Sequence, residues 1–475
     1  MITKARPIQR MRIPISHGVD PGKASSRERK KTLSTADKSP PGLESRLVAT
    51  TLITRIVDDG RNLDALCDRG HGIKPFLRLE PRDQALVRAI AITALRQRNR
   101  IDFVLNKLMK RPPPKNARFL IHSLHVAAAQ ILFMEVPESA AVNIAVTGIG
   151  NDPRTTRFKS LANAVLRRMT REKTGLLEAS NQVSPLPDWL AKLLRTNYGK
   201  ENTLRIASTV SREPLLDITV KSDASEWAKR LGGTVLPTGS IRLENSRPVT
   251  ELEGYDDGNW WVQDAAAALP AGLVQAEKGA QVLELCAAPG GKTAQLAHSG
   301  FEVTAVDVSR PRLARLEENL KRLKLNAEIV EADILEWTPG RLYDAVLVDT
   351  PCSSTGTARR HPDVLWAKRK EDIPELAALQ YRLVERAVTF LKPNGCLVFA
   401  NCSMLKQEGE DLLGKLLQAF PQLRLSPVDA SEIGGMSDLV NGQGALRSLP
   451  YHFPNEKNPR MGGLDGFFAC RFILQ

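Results

Sequence analysis

The fold is decided by the stretch VLELCAAPGGKTAQLA, which occupies residues 282–297. Residues 282–286 form a short apolar run typical of a buried strand, and residues 294–297 begin a helical pattern. Between them lies a turn of small residues, which lets the backbone approach a ligand closely and leaves the first N–H groups of the helix free to bind it. This order of strand, glycine turn and helix predicts a dinucleotide-type α/β domain, although a glycine-rich turn alone is a weak signal.

Acidic residues end the strand patterns that follow this turn. Asp307 lies 17 positions after Gly290 (307 − 290), close to the spacing of roughly 20 residues at which an acid binds ribose hydroxyls. Its alternative role is to cap the helix that begins just after it. Asp333 and Asp349 follow two further strand patterns, and ligands of open α/β sheets bind at the carboxyl ends of strands. We therefore expect the three aspartates to meet in one crevice and to contact a nucleoside-bearing ligand.

The class of ligand is narrowed by a missing motif. The chain lacks the Gly-x-x-x-x-Gly-Lys-Ser/Thr phosphate loop, which argues against a nucleoside triphosphate in spite of Gly291, Lys292 and Thr293. A dinucleotide-dependent oxidoreductase stays open on these residues alone.

Two cysteines follow neighbouring strand patterns on the same side of the predicted sheet. Cys352 comes three residues after Asp349, and Cys402 follows the apolar run 397–401. One reaction that would use such a cysteine is methylation of carbon 5 of cytosine. This carbon is not nucleophilic until a thiolate adds at carbon 6, and one of the two cysteines fits that step. The carboxyl group beside it can hydrogen-bond the base as charge develops. A lone cysteine is more often a buried structural residue, and we expect this of Cys67, Cys286, Cys396 and Cys470.

The rest of the chain divides by composition and periodicity. Residues 1–45 are basic and rich in Ser and Pro, which predicts a disordered tail, with a transit peptide as a minor alternative. Residues 46–172 show helical spacing broken by turns, which predicts an all-α domain. Residues 185–262 predict a small α+β connector, and residues 263–475 alternate strands with amphipathic helices. That alternation predicts a parallel sheet covered by helices on both faces.

Composition bounds the partners and the compartment. The 475 residues carry a formal net charge of +14, from 67 Lys and Arg against 53 Asp and Glu, which favours a polyanionic partner such as nucleic acid. No apolar run reaches the roughly 18–20 residues of a membrane span, so we expect a cytoplasmic protein. The six cysteines show neither paired metal-binding spacing nor the density of a disulfide scaffold, so we expect reduced thiols and no metal site.

These motifs resemble the RNA 5-methylcytosine methyltransferases of the Sun and RsmB group, over most of the chain from residue 46 onward. Residues 81–87, 136–143 and 162–168 resemble parts of the NusB-type RNA-binding helical domain. The two resemblances imply an α/β Rossmann-like methyltransferase domain with an all-α NusB-like N-terminal domain and a small α+β connector. They also imply S-adenosylmethionine as cofactor and a monomeric enzyme. The implied partner is RNA, above all 16S ribosomal RNA or a small-subunit assembly intermediate.

The resemblance also implies a role for each cofactor residue. Asp307 holds the ribose, Asp333 lies near the adenine, and Asp349 lies between the methyl donor and the base. The residues that line the cofactor site would be Cys286, Ala287, Ala288, Pro289, Gly290, Gly291 and Lys292.

The same likeness implies how the base is handled. Cys402 is the nucleophile, and Cys352 helps to release the product from the covalent adduct. Residues 357–363 carry basic groups toward the RNA. Two positions depart from the family pattern, namely Asn401, where Thr is usual, and the connector segment 214–220, which lacks the usual arginine. Neither departure removes a reacting atom.

Two other functions stay open at this point. One is the same chemistry on transfer RNA. The other is a non-catalytic NusB-like RNA-binding factor with a degenerate methyltransferase half, which the intact Asp349, Cys352 and Cys402 argue against.

Overall fold

The computed structural model describes residues 40–114, 116–244 and 247–475. The predicted tail at residues 1–45 therefore lies almost entirely outside the described residues. Among those described, no helix combines the length and the apolar character that a membrane span requires. The N-terminal region is built from helices α1 (Leu43–Val57), α2 (Leu63–Leu66), α3 (Lys74–Leu77), α4 (Pro81–Arg96), α5 (Arg98–Leu108), α6 (Arg118–Phe133), α7 (Glu138–Asn151), α8 (Lys159–Arg171) and α9 (Lys173–Ser180).

Helix α6 forms the centre of this region. Its sequence is apolar on almost every side, which is the pattern of a helix buried all round. Ala127, Ala128 and Ala129 are fully buried in its middle. Because these side chains are small, helices α1, α4, α7 and α8 pack closely against α6. The helical region thus has a core of its own, as the spacing of its apolar residues predicts.

A small antiparallel sheet follows the helices. The elements are α10 (Asp188–Val210), β1 (Leu216–Val220), α11 (Ala224–Leu231), β2 (Gly233–Val235), β3 (Ile241–Leu243) and β4 (Trp260–Val262). The strands lie in the order β2-β3-β1-β4. Asp223 caps the start of α11, and Gly232 follows its end in the left-handed conformation. This arrangement agrees with the predicted α+β connector.

The C-terminal part contains an eight-stranded sheet between helices. Its elements are α12 (Ala265–Gly272), β5 (Gln281–Leu285), α13 (Gly291–His298), β6 (Glu302–Asp307), α14 (Arg310–Leu323), β7 (Glu328–Glu331), β8 (Tyr343–Asp349), α15 (Val364–Ala367), α16 (Asp372–Val388), β9 (Leu391–Asn401), α17 (Glu410–Ala419), β10 (Leu423–Ser426), β11 (Leu446–Ser448) and β12 (Phe467–Leu474).

The large sheet has the strand order β10-β12-β9-β8-β5-β6-β7, with β11 paired to β12. Strands β5 to β9 are parallel, whereas β12 pairs antiparallel with β9, β10 and β11. The sheet is therefore mixed, and the sequence pattern predicts only its parallel part. Chain order reverses between β5 and β8, and such a switch point leaves a crevice at the carboxyl ends of the two strands.

One buried arginine connects the helical region to the rest of the protein. Arg96, at the end of α4, is 8% exposed. Its guanidinium donates to the backbone oxygens of Val210, Arg212 and Arg359 at 3.3, 3.2 and 2.7 Å. A buried charge is costly unless hydrogen bonds satisfy it, and here three carbonyl groups do so.

The segment that contains Arg359 makes further contacts with the helices. A carboxylate oxygen of Asp363 accepts the N–H of Leu63 at 2.9 Å. The indole N–H of Trp366 donates to the backbone oxygen of Leu95 at 2.8 Å. Residues 359–366 are therefore held from the helical side.

We expect Arg96→Met to destabilise the protein by about 1–3 kcal/mol, because it leaves buried carbonyl groups without a donor. Urea unfolding followed by circular dichroism would measure the loss. Arg55→Met is the matched control, since Arg55 pairs with Asp59 and both side chains are exposed. We expect it to change stability by less than about 0.5 kcal/mol. Equal losses in the two variants would contradict the role assigned to Arg96.

Candidate active site

The parallel strands β5, β8 and β9 end at neighbouring positions in their pairing register, next to the site. Leu285 of β5 lies opposite Val348 of β8, and Asp349 of β8 lies opposite Ala400 of β9. Residues that follow these strands by the same number of positions therefore meet at one edge of the sheet. This register brings together the glycine turn after β5 and the two cysteine segments after β8 and β9.

The two predicted catalytic cysteines are in contact. The Sγ atoms of Cys352 and Cys402 lie 3.4 Å apart. The N–H of Gly356 donates to the backbone oxygen of Cys402 at 2.9 Å, and the N–H of Ser354 lies 3.3 Å from the Cys352 sulfur. The hydrogen bond to Cys402 and then burial raise the pKa of Cys352 well above its ordinary value.

A buried ion pair lies beside the glycine turn. The Lys292 ammonium, in the first turn of α13, contacts an Asp349 carboxylate oxygen at 2.6 Å. It also lies 5.3 Å from the centre of the Phe467 ring. Burial lowers the pKa of Lys292, but Asp349 and, more weakly, Glu284 and Cys402 more than reverse this, so the pKa is raised. The lysine therefore stays charged, and Asp349 keeps its partner.

The glycine turn requires backbone freedom at Gly290. Its φ is 98°, and a Cβ atom built there would lie 2.7 Å from Cγ of Leu316. Only glycine fits a left-handed residue in such close contact with α14. Cys286, before the turn, also has a positive φ of 59°. Burial raises the pKa of its thiol, which agrees with the structural role predicted for this cysteine.

Asp307 lies behind the turn. Its side chain is 2% exposed, and its oxygens accept the N–H groups of Ala288 at 3.2 Å and Ser309 at 2.9 Å. Arg312 contacts the same carboxylate at 3.3 Å. Asp307 thus fastens the turn to the end of β6. It also accepts the N–H of Ser309, the residue before α14, but within the described chain it accepts no N–H group of the helix itself, so it is not the helix cap of the alternative prediction.

Asp333 lies near Asp307, but two strands, β6 and β5, separate it from Asp349. It follows β7, which pairs with β6, and the N–H of the preceding Ala332 donates to the backbone oxygen of Asp307 at 3.2 Å. Asp333 is exposed, and one of its oxygens accepts the N–H of Leu335 at 3.0 Å. The predicted meeting of Asp307, Asp333 and Asp349 in one crevice is therefore only partly reproduced, because only Asp349 lines the cavity described next.

A cavity of about 440 Å³ opens at the switch point. The turn, the connector and the C-terminal segment all contribute to its walls. Its lining includes Ala287, Ala288, Pro289, Gly290, Gly291, Lys292, Asp349, Gln263, Asp264, Arg360, His361, Asp465 and Phe467. Neither predicted catalytic cysteine is among the lining residues, although Asp349 connects the cavity to the Cys352 segment.

Glu284 is a cavity residue that the sequence reasoning missed. It is 1% exposed, and among the described residues its Oε2 atom has no hydrogen-bond partner. Burial raises its pKa to about 8. The signal was present in the sequence, because a glutamate inside the apolar run 282–285 is unusual for a strand buried on both faces.

The basic residues expected to face the RNA have other partners. Arg359 is buried and contacts Asp465 at 3.2 Å. Arg360 lines the cavity, where its guanidinium contacts Asp264 at 2.6 Å and Asp217 at 3.0 Å. Burial raises the pKa of Asp264, but Arg360 and Arg359 more than offset this and lower it to about 2. Arg360 thus forms part of the cavity wall and Arg359 is buried, so neither provides a free basic surface.

The departure at Asn401 has a structural explanation. Its buried amide donates to the backbone oxygen of Glu408 at 2.6 Å, and its side-chain oxygen accepts the N–H of Ser403 at 3.0 Å. The amide therefore braces the main chain on the far side of Cys402. No hydrogen bond joins it to the thiol among the described residues.

Comparisons with known proteins agree with this architecture. A family model described as 16S rRNA methyltransferase RsmB/F matches residues 271–473, and a NusB family model matches residues 43–171. Ribosomal RNA small subunit methyltransferase B of Cronobacter sakazakii is 32% identical over 412 residues, covering 83% of this chain and 94% of that protein. The protein of the same name from Xanthomonas campestris pv. campestris is 33% identical over 456 residues, covering 92% and 99%.

A solved structure confirms the predicted fold. The crystal structure of PH0851 superposes with a TM-score of 0.69 at 22% identity, covering 93% of this chain and 100% of that one.

The raised pKa of Glu284 predicts how stability depends on pH. The folded protein holds this proton to about pH 8, whereas a glutamate in the unfolded chain loses it near 4.5. Protonated Glu284 therefore contributes its full stabilisation to the folded state below pH 4.5, and this contribution is lost as the pH rises toward 8. We expect the free energy of unfolding of Glu284→Gln to rise relative to that of the wild type as the pH rises from 5 to 8. Lys292, Asp349 and Asp307 are the charged neighbours that modulate the effect.

Urea unfolding at several pH values would measure this difference. Glu277→Gln is the control, because Glu277 is exposed, and its curve should run parallel to that of the wild type. A Glu284→Gln curve that is also parallel to the wild type would contradict the prediction.

Proposed function

Because the chain belongs to the family of 16S rRNA methyltransferases RsmB/F, which are S-adenosylmethionine-dependent RNA methyltransferases, we propose that it methylates carbon 5 of a cytosine through a covalent adduct with Cys402. The observation that carries the proposal is the 3.4 Å contact between the sulfurs of Cys352 and Cys402. This contact lies at the strand edge that also holds the Lys292–Asp349 ion pair. A structural cysteine needs no second thiol and no charged neighbours of this kind.

The residues at the switch point fit S-adenosylmethionine. Small residues in the turn permit close approach of a ligand, and Glu284 presents a buried carboxylate oxygen without a partner. When bound, the cofactor supplies an electrophilic methyl group on a positively charged sulfur. We assign its contacts to the backbone of residues 286–292 and to Asp349 near its positive charge. Asp307 and Asp333, which do not line the cavity, stay predictions for the nucleoside side.

Cys402 has the role of nucleophile in this proposal. Its thiolate forms a bond to carbon 6 of the cytosine, and the electron pair of the 5,6 double bond makes carbon 5 nucleophilic. The ring nitrogen takes up the proton that the Cys402 thiol loses as the adduct forms, and the Asp349 carboxylate accepts hydrogen bonds from this N–H and from the exocyclic amine of the base. Lys292 stays charged and keeps Asp349 in position.

Cys352 has a different role. The hydrogen bond to Cys402 and burial raise its pKa, so its thiol keeps its proton at neutral pH. After methylation a water molecule takes the proton on carbon 5, the electron pair of that C–H bond restores the 5,6 double bond, and the bond from carbon 6 to Cys402 breaks with its electron pair returning to the sulfur. We propose that Cys352, whose sulfur contacts that of Cys402, donates its thiol proton to the departing sulfur and so frees the product.

The proposed substrate is 16S ribosomal RNA, and transfer RNA is the alternative. Two observations support the first, namely the names of the similar proteins and the match of residues 43–171 to the NusB family. The net charge of +14 favours RNA of either kind. An enzyme that acts on ribosomal RNA works where ribosomes assemble, so we also propose a cytoplasmic location.

Bisulfite sequencing of RNA from a strain that lacks this gene would identify the substrate. We expect one or more cytosines of 16S ribosomal RNA to lose protection, and re-expression of the wild type, but not of Cys402→Ala, to restore it. Loss of protection in transfer RNA alone would replace the proposed substrate by the alternative.

Substitution of the two cysteines should block the reaction at different steps. Cys402→Ala should abolish methylation and form no covalent species, because no thiolate can add to carbon 6. Cys352→Ala should still form the adduct but release it slowly, so that a protein–RNA species accumulates on a denaturing gel with labelled RNA. The double variant should show no such band.

Buried Cys470 provides the control, because it lies on β12 away from the paired cysteines, and Cys470→Ala should turn over without accumulating adduct. An adduct formed by Cys402→Ala but not by Cys352→Ala would reverse the two assignments.

A further inference from the structure

We propose that Glu408 is a positioning residue, which holds the Cys352 and Cys402 segments together so that their sulfurs stay in contact. The catalytic meaning of this role rests on the proposed function. The geometric role does not, because it concerns only the distance between two side chains.

The Glu408 carboxylate joins the two segments directly. It is fully buried in the turn between β9 and α17. One oxygen accepts the hydroxyl groups of Ser353 at 2.5 Å and Ser403 at 2.6 Å. The other accepts the N–H of Ser353 and the amide of Gln380, both at 2.9 Å. Ser353 directly follows Cys352 and Ser403 directly follows Cys402, so a single carboxylate fixes the residue after each thiol.

The two serines also contact each other. Their hydroxyl oxygens lie 3.0 Å apart, and the Thr355 hydroxyl is within 3.4 Å of Ser403. The backbone of Glu408 is itself fastened, because Asn401 donates to its carbonyl oxygen. The carboxylate therefore cannot move away from the serines without breaking a connected set of buried hydrogen bonds.

The chemical nature of this carboxylate argues for a purpose beyond packing. Among the described residues no Lys or Arg hydrogen-bonds Glu408, so four neutral N–H and O–H groups satisfy a buried negative charge. Burying a charge in this way is costly, and an uncharged residue of similar size would fill the space at a lower cost. What the carboxylate supplies, and an apolar residue cannot, is a set of four acceptor positions, three of which are used by the two cysteine segments and one by Gln380 of α16.

This arrangement matters for a reaction that uses two thiols in turn. Displacing a reacting group by about 1 Å can slow a reaction roughly 100-fold. The clamp formed by Glu408, Ser353 and Ser403 keeps one sulfur within reach of the other during both addition and release.

The distance can be tested without RNA or cofactor by oxidising the two thiols with diamide. Each thiol gives up one proton, and two electrons pass to the azo group, which takes up both protons as the disulfide forms. Unreduced peptide mapping would follow formation of the Cys352–Cys402 bond over time. We expect rapid crosslinking in the wild type, about tenfold slower crosslinking in Glu408→Ala, and an intermediate rate in Glu408→Gln.

A matched control and a conservative variant separate positioning from loss of folding. Glu432→Gln removes a carboxylate that pairs with Arg471 at the far edge of the sheet, and it should crosslink as the wild type does. Glu408→Gln keeps the volume of the side chain, so it reports on the clamp even if Glu408→Ala does not fold.

Turnover provides the second measurement. At saturating RNA, Glu408→Ala should lower the single-turnover rate by about tenfold or more with unchanged affinity for RNA. If Glu408 acts through the serines, adding Glu408→Ala to Ser353→Ala/Ser403→Ala should cause little further loss.

Three results would each overturn the positioning role of Glu408. They are unchanged crosslinking in both Glu408 variants, absent crosslinking in the wild type, and fully additive losses of rate with the serine variants. If no cytosine is methylated but crosslinking still depends on Glu408, the proposed function is wrong and the positioning role stands.

Discussion

The register in which the parallel strands β5, β8 and β9 pair is the constraint on which the rest of the site depends. Parallel pairing in register sets Leu285 against Val348 and Asp349 against Ala400. A slip of one residue would turn every side chain of a strand to the opposite face. The ion pair, the cysteine contact and the glycine turn all follow from this register, because each is made by residues within a few positions of a strand end.

The site is also organised by charges that are buried and satisfied. Lys292 neutralises Asp349, Arg360 lies between Asp264 and Asp217, and Glu408 is held by neutral donors. Such groups are costly to bury unless every partner is in place, so they favour one arrangement of the surrounding loops. Glu284, by contrast, has a buried carboxyl oxygen without a hydrogen-bond partner among the described residues, and it lies in the wall of the cavity that we assign to the cofactor.

The helical region contributes to the same site from behind. Residues 359–366 contact α2, α4 and the end of α10 on one side through Arg96, Leu63 and Trp366. On the other side, Arg360 lines the cavity. The region that matches the NusB family therefore also supports a wall of the candidate site.

The sequence by itself determined the local elements and the chemistry at their ends. Strand, glycine turn and helix at residues 282–297, and two cysteines after strand patterns, follow from periodicities of 2 and 3.6 residues and from residue type. These patterns act over a few residues, so one chain is enough to recognise them. The fold class and the family were confirmed, and the roles of the individual site residues stay predictions.

Only the tertiary structure decided which distant groups meet. The clamp by Glu408, the inward course of Arg359 and the separation of Asp333 from Asp349 depend on strand order and register, which join residues far apart in the chain. Local periodicity carries no information about which strand pairs with which, because the pattern of a buried strand is the same whatever its neighbour. That is the physical reason why the sequence pointed to candidates for the reacting atoms, whereas the groups that hold these candidates in place became visible only in the fold.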